Sequence, residues 1–392
     1  MKRYGYLYEK IYDMDNLWLG YYNARKNKTW YDEVKEVDKN PEFYLFQIKE
    51  MLINKTYKTS EYEVFKIWDK TKEREIYKLP FFPDRIVHHA IANIIEPILV
   101  KSLIEDTYSS IKKRGIHRGL NRIKQALKDE ENTKYCLKLD IKHYYPSLNH
   151  DILKQLLKKK FKDNNLLWLL SEIIDSVNDN KGVPIGNYLS QIFGYYYLSY
   201  FEHWLKNNMK VKYLFVYCDD IVILSSNKES LHELLEHIKL YLDINLKLEV
   251  KNNYQVFPVD IRGIDFLGYR IFRNYILLRK RTADNFKKKM MKLKRKTNNG
   301  YKLQYKDMCS INSYKGWMKW CNSYNLQNKY ITPLNKNILE FNVKKNNIKI
   351  KRQMDKLHKE FQEIINFLNE EDKLRECGEL FENNRIGDST TN

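Results

Sequence analysis

Two short apolar runs, Tyr213-Leu214-Phe215-Val216 and Ile221-Val222-Ile223-Leu224, flank the tetrapeptide Tyr217-Cys218-Asp219-Asp220. Runs of this length, rich in β-branched and aromatic residues and split by a polar turn, predict a tight β-hairpin. That hairpin would carry two adjacent carboxylates at its bend. Acids at the ends of buried strands are costly unless their charge is compensated, and a divalent cation is a common solution. The plainer alternative is a solvated turn that uses Asp for its turn chemistry. Features elsewhere in the chain decide between the two.

At 392 residues the chain is long enough for two or three subdomains with a sizeable core. Its formal net charge of +20 points to a polyanionic partner, nucleic acid ahead of an anionic membrane. The 31 tyrosines suit stacking on bases and sugars, although an AT-rich genome would also enrich them. Five scattered cysteines without a C-x-x-C spacing indicate a reducing compartment and no zinc site. No apolar h-region follows Met1-Lys2-Arg3-Tyr4-Gly5, so no signal peptide is expected. The stretch from Ile86 to Ile104 is interrupted by His88, His89, Asn93, Glu96 and Lys101, and reads as a core helix rather than a membrane span. A cytoplasmic location is the expectation.

Along the chain, residues 1–60 read as a helical extension anchored by Trp18 and Trp30. Residues 61–80 alternate as a strand pair around Asp69-Lys70-Thr71-Lys72. A helix is expected from Pro83-Asp84 to about Ile104. Tyr135-Cys136-Leu137-Lys138-Leu139-Asp140 reads as a buried strand ending on an acid, and Pro146 opens a helix that reaches Phe161. One long aromatic helix is expected from Leu189 to Leu205, then a helix from Glu229 to Tyr241. Strands follow near Lys247–Val250 and Phe266–Phe272. From Arg279 to Lys296 about ten basic residues face a single acid, Asp284, at helical spacing. Residues 344–392 read as a charge-rich helical tail, net acidic over its final forty residues and frayed at its end.

Asp140 ends its strand about eighty residues before the Asp219-Asp220 pair, the separation expected of two acid-bearing strands in a polymerase palm. The segment Asp140-Ile141-Lys142-His143-Tyr144-Tyr145-Pro146-Ser147 resembles the first catalytic motif of reverse transcriptases, and Tyr217-Cys218-Asp219-Asp220 resembles the third. The resemblance implies that Asp140, Asp219 and Asp220, with the backbone carbonyl of Ile141, hold two Mg²⁺ ions, for which Mn²⁺ can substitute. It implies that Tyr145, five residues after the first acid, excludes the ribose 2′-hydroxyl; an ordinary core aromatic is the alternative. Gly182-Val183-Pro184-Ile185-Gly186-Asn187-Tyr188-Leu189-Ser190-Gln191 resembles the second motif, which brings Ile185, Gly186 and Gln191 to the incoming dNTP. Gly186 would let backbone approach the base or template without a Cβ in the way. Most reverse transcriptases have Gln where Ile185 falls and Ser-Pro where Ser190-Gln191 falls. The form seen in this chain resembles reverse transcriptases of diversity-generating retroelements and related bacterial enzymes, in which it goes with relaxed fidelity opposite template adenine.

Further resemblances extend the set from about residue 60 to 335. Lys72 and Arg74 fall in a segment similar to the fingers motif that grips the triphosphate, with a solvated charged hairpin as the alternative. In Tyr108–His117 the family's usual Arg falls at Ile111, so Lys112, Lys113 or Arg114 would supply that charge. Lys251 lies where the family places a lysine able to protonate the leaving pyrophosphate, although a basic surface residue reads equally well. Ile264-Asp265-Phe266-Leu267-Gly268-Tyr269 resembles the primer grip, so Gly268, Tyr217 and Cys218 are expected at primer and template. Lys287 and Lys288 of the basic helix, with Trp317, look like a thumb that tracks phosphates.

The expected fold is thus α+β, a right-hand polymerase. Its divisions are an N-terminal extension 1–60, fingers 61–134, a palm 135–272 that includes the helical segment 150–180, a thumb 273–343 and a tail 344–392. The implied partners are an RNA template, a DNA or RNA primer and dNTPs, then a structured noncoding RNA and an accessory protein, with no membrane. The tail is a further candidate for self-association. Two other functions stay open: an RNA-copying RNA polymerase, and a non-catalytic RNA-binding scaffold, which the three intact acids argue against. No endonuclease, zinc-binding or RNase H segment is visible in the sequence. That disfavours a self-sufficient mobile intron protein or a retrovirus-like polymerase and leaves two settings: a diversity-generating retroelement, which the second motif favours, and antiphage defence with a dedicated noncoding RNA as the alternative.

Overall fold

The computed structural model describes residues 2–69, 72–177, 179–346, 348–349, 351–357 and 359–360. Its strands are β1 (Glu63–Asp69), β2 (Lys72–Lys78), β3 (Thr107–Tyr108), β4 (Tyr135–Asp140), β5 (Tyr213–Tyr217), β6 (Asp220–Ser225), β7 (Gln255–Pro258), β8 (Ile264–Phe266), β9 (Tyr269–Ile271) and β10 (Ile276–Leu278). The longer helices of the first unit are α1 (Met14–Arg25), α2 (Asp32–Lys39), α3 (Pro41–Ile53), α4 (Ile86–Val100), α5 (Ile116–Ala126), α6 (His150–Lys160), α7 (Asn164–Ile174), α8 (Tyr188–Tyr197), α9 (Ser199–Asn207) and α10 (Lys228–Tyr241). The chain divides into two compact units, Met1–Ile276 and Leu277–Asn392. Helix and sheet are mixed as expected for an α+β chain.

The five strands β3-β5-β6-β4-β7 form one sheet, antiparallel except for the β3–β5 pair. Strand alternation divides its two faces. The pairs Leu137↔Ile223 and Leu139↔Ile221 point into the core, where α10 covers β4, β6 and β7 with Leu231, Leu235 and Ile238 at helical spacing. On the other face the pairs run from Cys136↔Leu224 through Lys138↔Val222 to Asp140↔Asp220. That face grades from apolar to charged toward one end, and the acids stand there because β4 and β6 are in this register.

Several elements differ from the sequence expectation, each for a local reason. The helix expected from Pro83-Asp84 begins there, in a π-helical turn Phe81–Arg85 that is kinked at Phe82 (φ −108°, ψ 133°) and leads directly into α4. Asp84 is buried in that turn and accepts hydrogen bonds from Tyr57 Oη (2.8 Å) and Ser60 N (3.2 Å), so it also anchors the preceding loop. The helix stops at Val100, and turns carry the chain to Ile104. The helix expected from Pro146 starts only at His150, capped by the Asn149 side chain on Ile152 N (3.0 Å). The expected helix Leu189–Leu205 is two helices broken at Leu198, where Ser199 Oγ donates to Tyr196 O (2.6 Å) and competes for a helix carbonyl. Residues 247–250 form no strand beyond a single bridge between Val250 and Ile141, because Lys247 sits at φ +53° and turns the chain. The segment expected as a strand Phe266–Phe272 is the hairpin β8–β9, with Leu267 (φ +54°) and Gly268 (φ +86°) at its bend.

β1 and β2 pair antiparallel from Glu63↔Lys78 to Asp69↔Lys72 as an exposed hairpin, braced by Lys66–Glu73 (3.3 Å) and Lys78–Glu63 (3.0 Å). In the second unit α11 (Lys280–Asn298), α12 (Tyr305–Met318) and α13 (Tyr324–Tyr330) follow. Phe286, Met290 and Leu293 form the buried stripe of α11, with Phe286 against Tyr314 and Tyr330. Of the expected tail, residues from 361 onward lie outside the described residues. Among the described residues no helix is long and apolar enough to cross a membrane.

One buried acid gives a stability prediction. Glu202 on α9 is fully buried beside Thr107, and burial raises its carboxyl to about 8. Because the folded value lies above the unfolded one, the stabilising proton is fully present below about 4.5 and is lost as pH rises through about 8. Glu202→Gln is therefore expected to be more stable than the parent near neutral pH, by on the order of 3 kcal/mol. The gain should vanish at pH 4, as read by urea denaturation across that range. A pH-independent difference would remove the explanation.

Candidate active site

The end of the sheet is built by its register. Asp140 and Asp220 are cross-strand partners, and Tyr217 pairs with Asp220, which leaves Cys218 and Asp219 as the bend. Cys218 holds φ +58°, a region that a non-glycine residue occupies at some cost and that occurs often at functional bends. Backbone bonds fix the bend to the neighbouring strand: Ile141 N donates to Asp219 O (3.2 Å) and Lys251 N to Asp140 O (2.8 Å). Ile141 is fully buried, its backbone held by Asp219 and by the bridge to Val250.

The three acids have different surroundings. Asp140 is ion-paired to the Lys251 ammonium. Asp220 faces Lys138 Nζ at 3.3 Å. The Asp219 carboxyl is raised above the ordinary carboxylate range, first by burial and then by the charge of Asp140, with Lys251 opposing the shift. Asp140 and Asp219 thus form a carboxylate pair that repels itself, a feature that a bound cation would relieve. Two carboxylates are hard oxygen donors of the kind that Mg²⁺ takes singly or in pairs while substrate phosphates complete its shell. Among the described residues no group of three or more His, Cys, Asp or Glu side chains forms a ready-made metal cage.

Tyr145 follows in a single helical turn, Tyr144–Ser147, entered through His143 at φ +47°. The expected second-motif segment lies along it. Val183 N donates to Tyr145 O (3.0 Å), Gly182 N to Leu148 O (2.7 Å), and His150 Nε2 lies 2.7 Å from Gly182 O. Farther on, Tyr77 N of β2 donates to Ile185 O (3.0 Å). Gly186 has φ +122°, and a Cβ there would lie 3.1 Å from Tyr77 O, so the close approach this glycine makes within the chain is to β2.

These contacts enclose a cleft of about 540 Å³, onto which Arg74, Tyr145, Pro184, Ile185, Asp219 and Lys251 all open. A second cleft of about 310 Å³ lies against Asp140 and is lined by Lys138, Arg262, Asp265 and Arg270. Of the expected dNTP contacts, Arg74, Tyr145 and Ile185 line the larger cleft. Gly186 and Gln191 do not, Gln191 being half-buried in the first turn of α8. The side chain of Lys72 lies outside the described residues. Tyr217 and Cys218 are half-buried in the hairpin that bears the acids. Gly268 is in the β8–β9 bend, and Lys138 Nζ donates to Asp265 O, tying that hairpin to β4. Lys287, Lys288 and Trp317 belong to the second unit.

Lys138 is the residue that the sequence reading passed over. Its signal was available: position i−2 from Asp140 on one strand puts it on the acids' own face, beside the cross-strand partner of Asp140.

A family model for reverse transcriptase (RNA-dependent DNA polymerase) matches residues 58–271, more than half of the chain. The chain belongs to the reverse transcriptase family. Protein YkfC of Escherichia coli (strain K12) is 22% identical over 237 residues, 50% of this chain and 62% of that protein, so the chain spans less than two thirds of this relative. Among solved structures, apo telomerase from Candida tropicalis matches at a TM-score of 0.42 and 14% identity, over 55% of this chain and 48% of that one. Telomerase from Candida albicans with a fragment of telomeric RNA matches at 0.45 and 13%, over 64% and 55%.

Proposed function

We propose that this chain is an RNA-directed DNA polymerase that extends a primer on an RNA template with dNTPs. The observation that carries the reading is the repelling Asp140–Asp219 carboxylate pair, which adjoins a cleft lined by Tyr145 and Arg74. The pair, with Asp220 beside it, would hold two Mg²⁺ ions. When bound, these supply alignment of the primer hydroxyl and charge stabilisation at the leaving pyrophosphate. Arg74 contacts triphosphate oxygens by charge-assisted bonds, with Lys72 as its expected companion. Lys251 gives a proton to the departing pyrophosphate, a role supported by its pairing with Asp140 and its opening onto the cleft. Lys138 holds Asp220 against the β8–β9 hairpin, and Gly268 in the bend of that hairpin lies next to the primer end. In this reading residues 61–134 are the fingers, 135–272 the palm and 273–343 the thumb, whose Lys287, Lys288 and Trp317 follow the duplex. Primer extension on an RNA template with Mg²⁺ tests the activity.

A diversity-generating retroelement is the setting that the second motif favours, because Ile185 lines the cleft where most of the family carries Gln. An apolar side chain there removes a hydrogen-bonding amide from the side of the nascent pair. Ile185→Gln is expected to lower misincorporation opposite template adenine severalfold, read by sequencing cDNA from a defined RNA. Equal error spectra for the two proteins would exclude this residue as the cause. Antiphage defence with a dedicated noncoding RNA remains the second setting, separated from the first by whether a variable-repeat target lies beside the gene.

A further inference from the structure

The ring of Tyr145 is held from two sides by residues without a place in the chemistry above. On one side Cys218 Sγ donates to Tyr145 Oη at 3.3 Å. On the other lies Gly194, buried in the middle of α8. A Cβ built on Gly194 would stand 2.9 Å from Tyr145 Cε1, 3.3 Å from its Oη and 3.4 Å from its Cζ. The first distance is shorter than carbon atoms tolerate, and the opposing atom belongs to an aromatic ring that moves only as a unit. The neighbouring Tyr144 is fully buried, and its hydroxyl donates to the Gly194 carbonyl, so the same turn of α8 seats both tyrosines. Glycine is disfavoured in a helix interior relative to alanine. Within this helix, the observation that accounts for it is the ring lying in the space of its missing side chain.

We propose that Gly194 is a positioning residue for sugar selection: its missing side chain sets how far the Tyr145 ring stands back from the cleft, and Cys218 pins the hydroxyl end. The inference rests on the reading of Tyr145 as the residue that meets the sugar. With the ring backed by α8, any group added at position 194 drives it toward the cleft, the side that carries Asp219 and Ile185. The space for the sugar then shrinks. Substrate binding should suffer before the chemical step does, because Asp140 and Asp219 are carried by β4 and the β5–β6 bend and not by α8.

The test is a double-mutant cycle on dNTP and rNTP incorporation by the full chain, comparing parent, Gly194→Ala, Tyr145→Ala and the pair. Gly194→Ala is expected to raise the KM for dNTPs roughly tenfold, the scale of one extra methyl in a packed site, with a much smaller change in kcat. In the Tyr145→Ala background the same substitution should change KM by less than about twofold, because the ring it displaces is gone. An equal effect in both backgrounds, or no effect on the parent, would overturn the proposal. If Tyr145→Ala leaves the dNTP/rNTP preference unchanged, the sugar-exclusion reading fails, while the cycle still reports whether Gly194 acts through Tyr145. Should Gly194→Ala fold poorly by thermal melt, Cys218→Ala and Tyr145→Phe provide the second cycle. Their effects on KM should be non-additive, since each removes the same Sγ–Oη contact. Additive effects would contradict the pinning.

Discussion

Asp219→Asn should abolish DNA synthesis, by roughly a thousandfold or more, while leaving the protein at least as stable as the parent. In the proposed mechanism Asp219 holds catalytic metal, so its loss removes several kcal/mol of transition-state stabilisation, and each 1.4 kcal/mol is about tenfold in rate. Stability should move the other way. The Asp219 carboxyl is raised by burial and by the charge of Asp140, so its ionised form is a strained member of the fold at neutral pH. Asn keeps the shape and removes both penalties. The sign follows from linkage: with the folded value above the unfolded one, the protonated form is favoured by folding, and stability is lost as pH rises through the folded value. The stability advantage of Asp219→Asn should therefore grow with pH. A residue that costs stability yet is needed for activity is functional, whereas a structural acid would lose both together. Thermal melts at two pH values, run beside the extension assay, separate these cases.

Tyr145→Ala should relax the choice between deoxy- and ribonucleotides by about a hundredfold, the range that a lost steric contact in a fitted pocket can produce. The ring lines the same cleft as Asp219 and Arg74, and Val183 N fixes its backbone by a 3.0 Å bond to Tyr145 O. Shortening it opens space where a 2′-hydroxyl would stand and leaves the acids in place. The gain should thus appear as a lower KM for rNTPs with dNTP turnover largely kept. Tyr145→Phe keeps the ring and should keep the discrimination, which distinguishes ring bulk from hydroxyl chemistry. Single-nucleotide incorporation with matched dTTP and UTP measures both.

The hairpin that bears Asp219 and Asp220 was legible because its strands carry β-branched and aromatic residues without interruption and its bend is polar. The pairing of Asp140 with Asp220 came only with the β4–β6 register of the fold. What escaped the sequence reading depends on contacts between distant segments. Asp84 was legible as part of a helix start, but the bonds that Tyr57 and Ser60 make to its carboxylate were not. Gly186 looked like a window for substrate, while in the fold its positive φ and the nearness of Tyr77 already require glycine. Gly194 carried no motif at all, since its reason is the ring of Tyr145, forty-nine residues earlier in the chain. Local propensity cannot report a partner that only the tertiary fold supplies.

The most direct measurement is primer extension on a poly(rA)/oligo(dT) template with Mg²⁺, using the parent and Asp219→Asn side by side with dTTP or UTP. Extension with dTTP is expected from the parent alone, and little or none with UTP. Extension by Asp219→Asn at the parental rate, or a parent that binds the template–primer and extends it with neither nucleotide, would contradict that expectation.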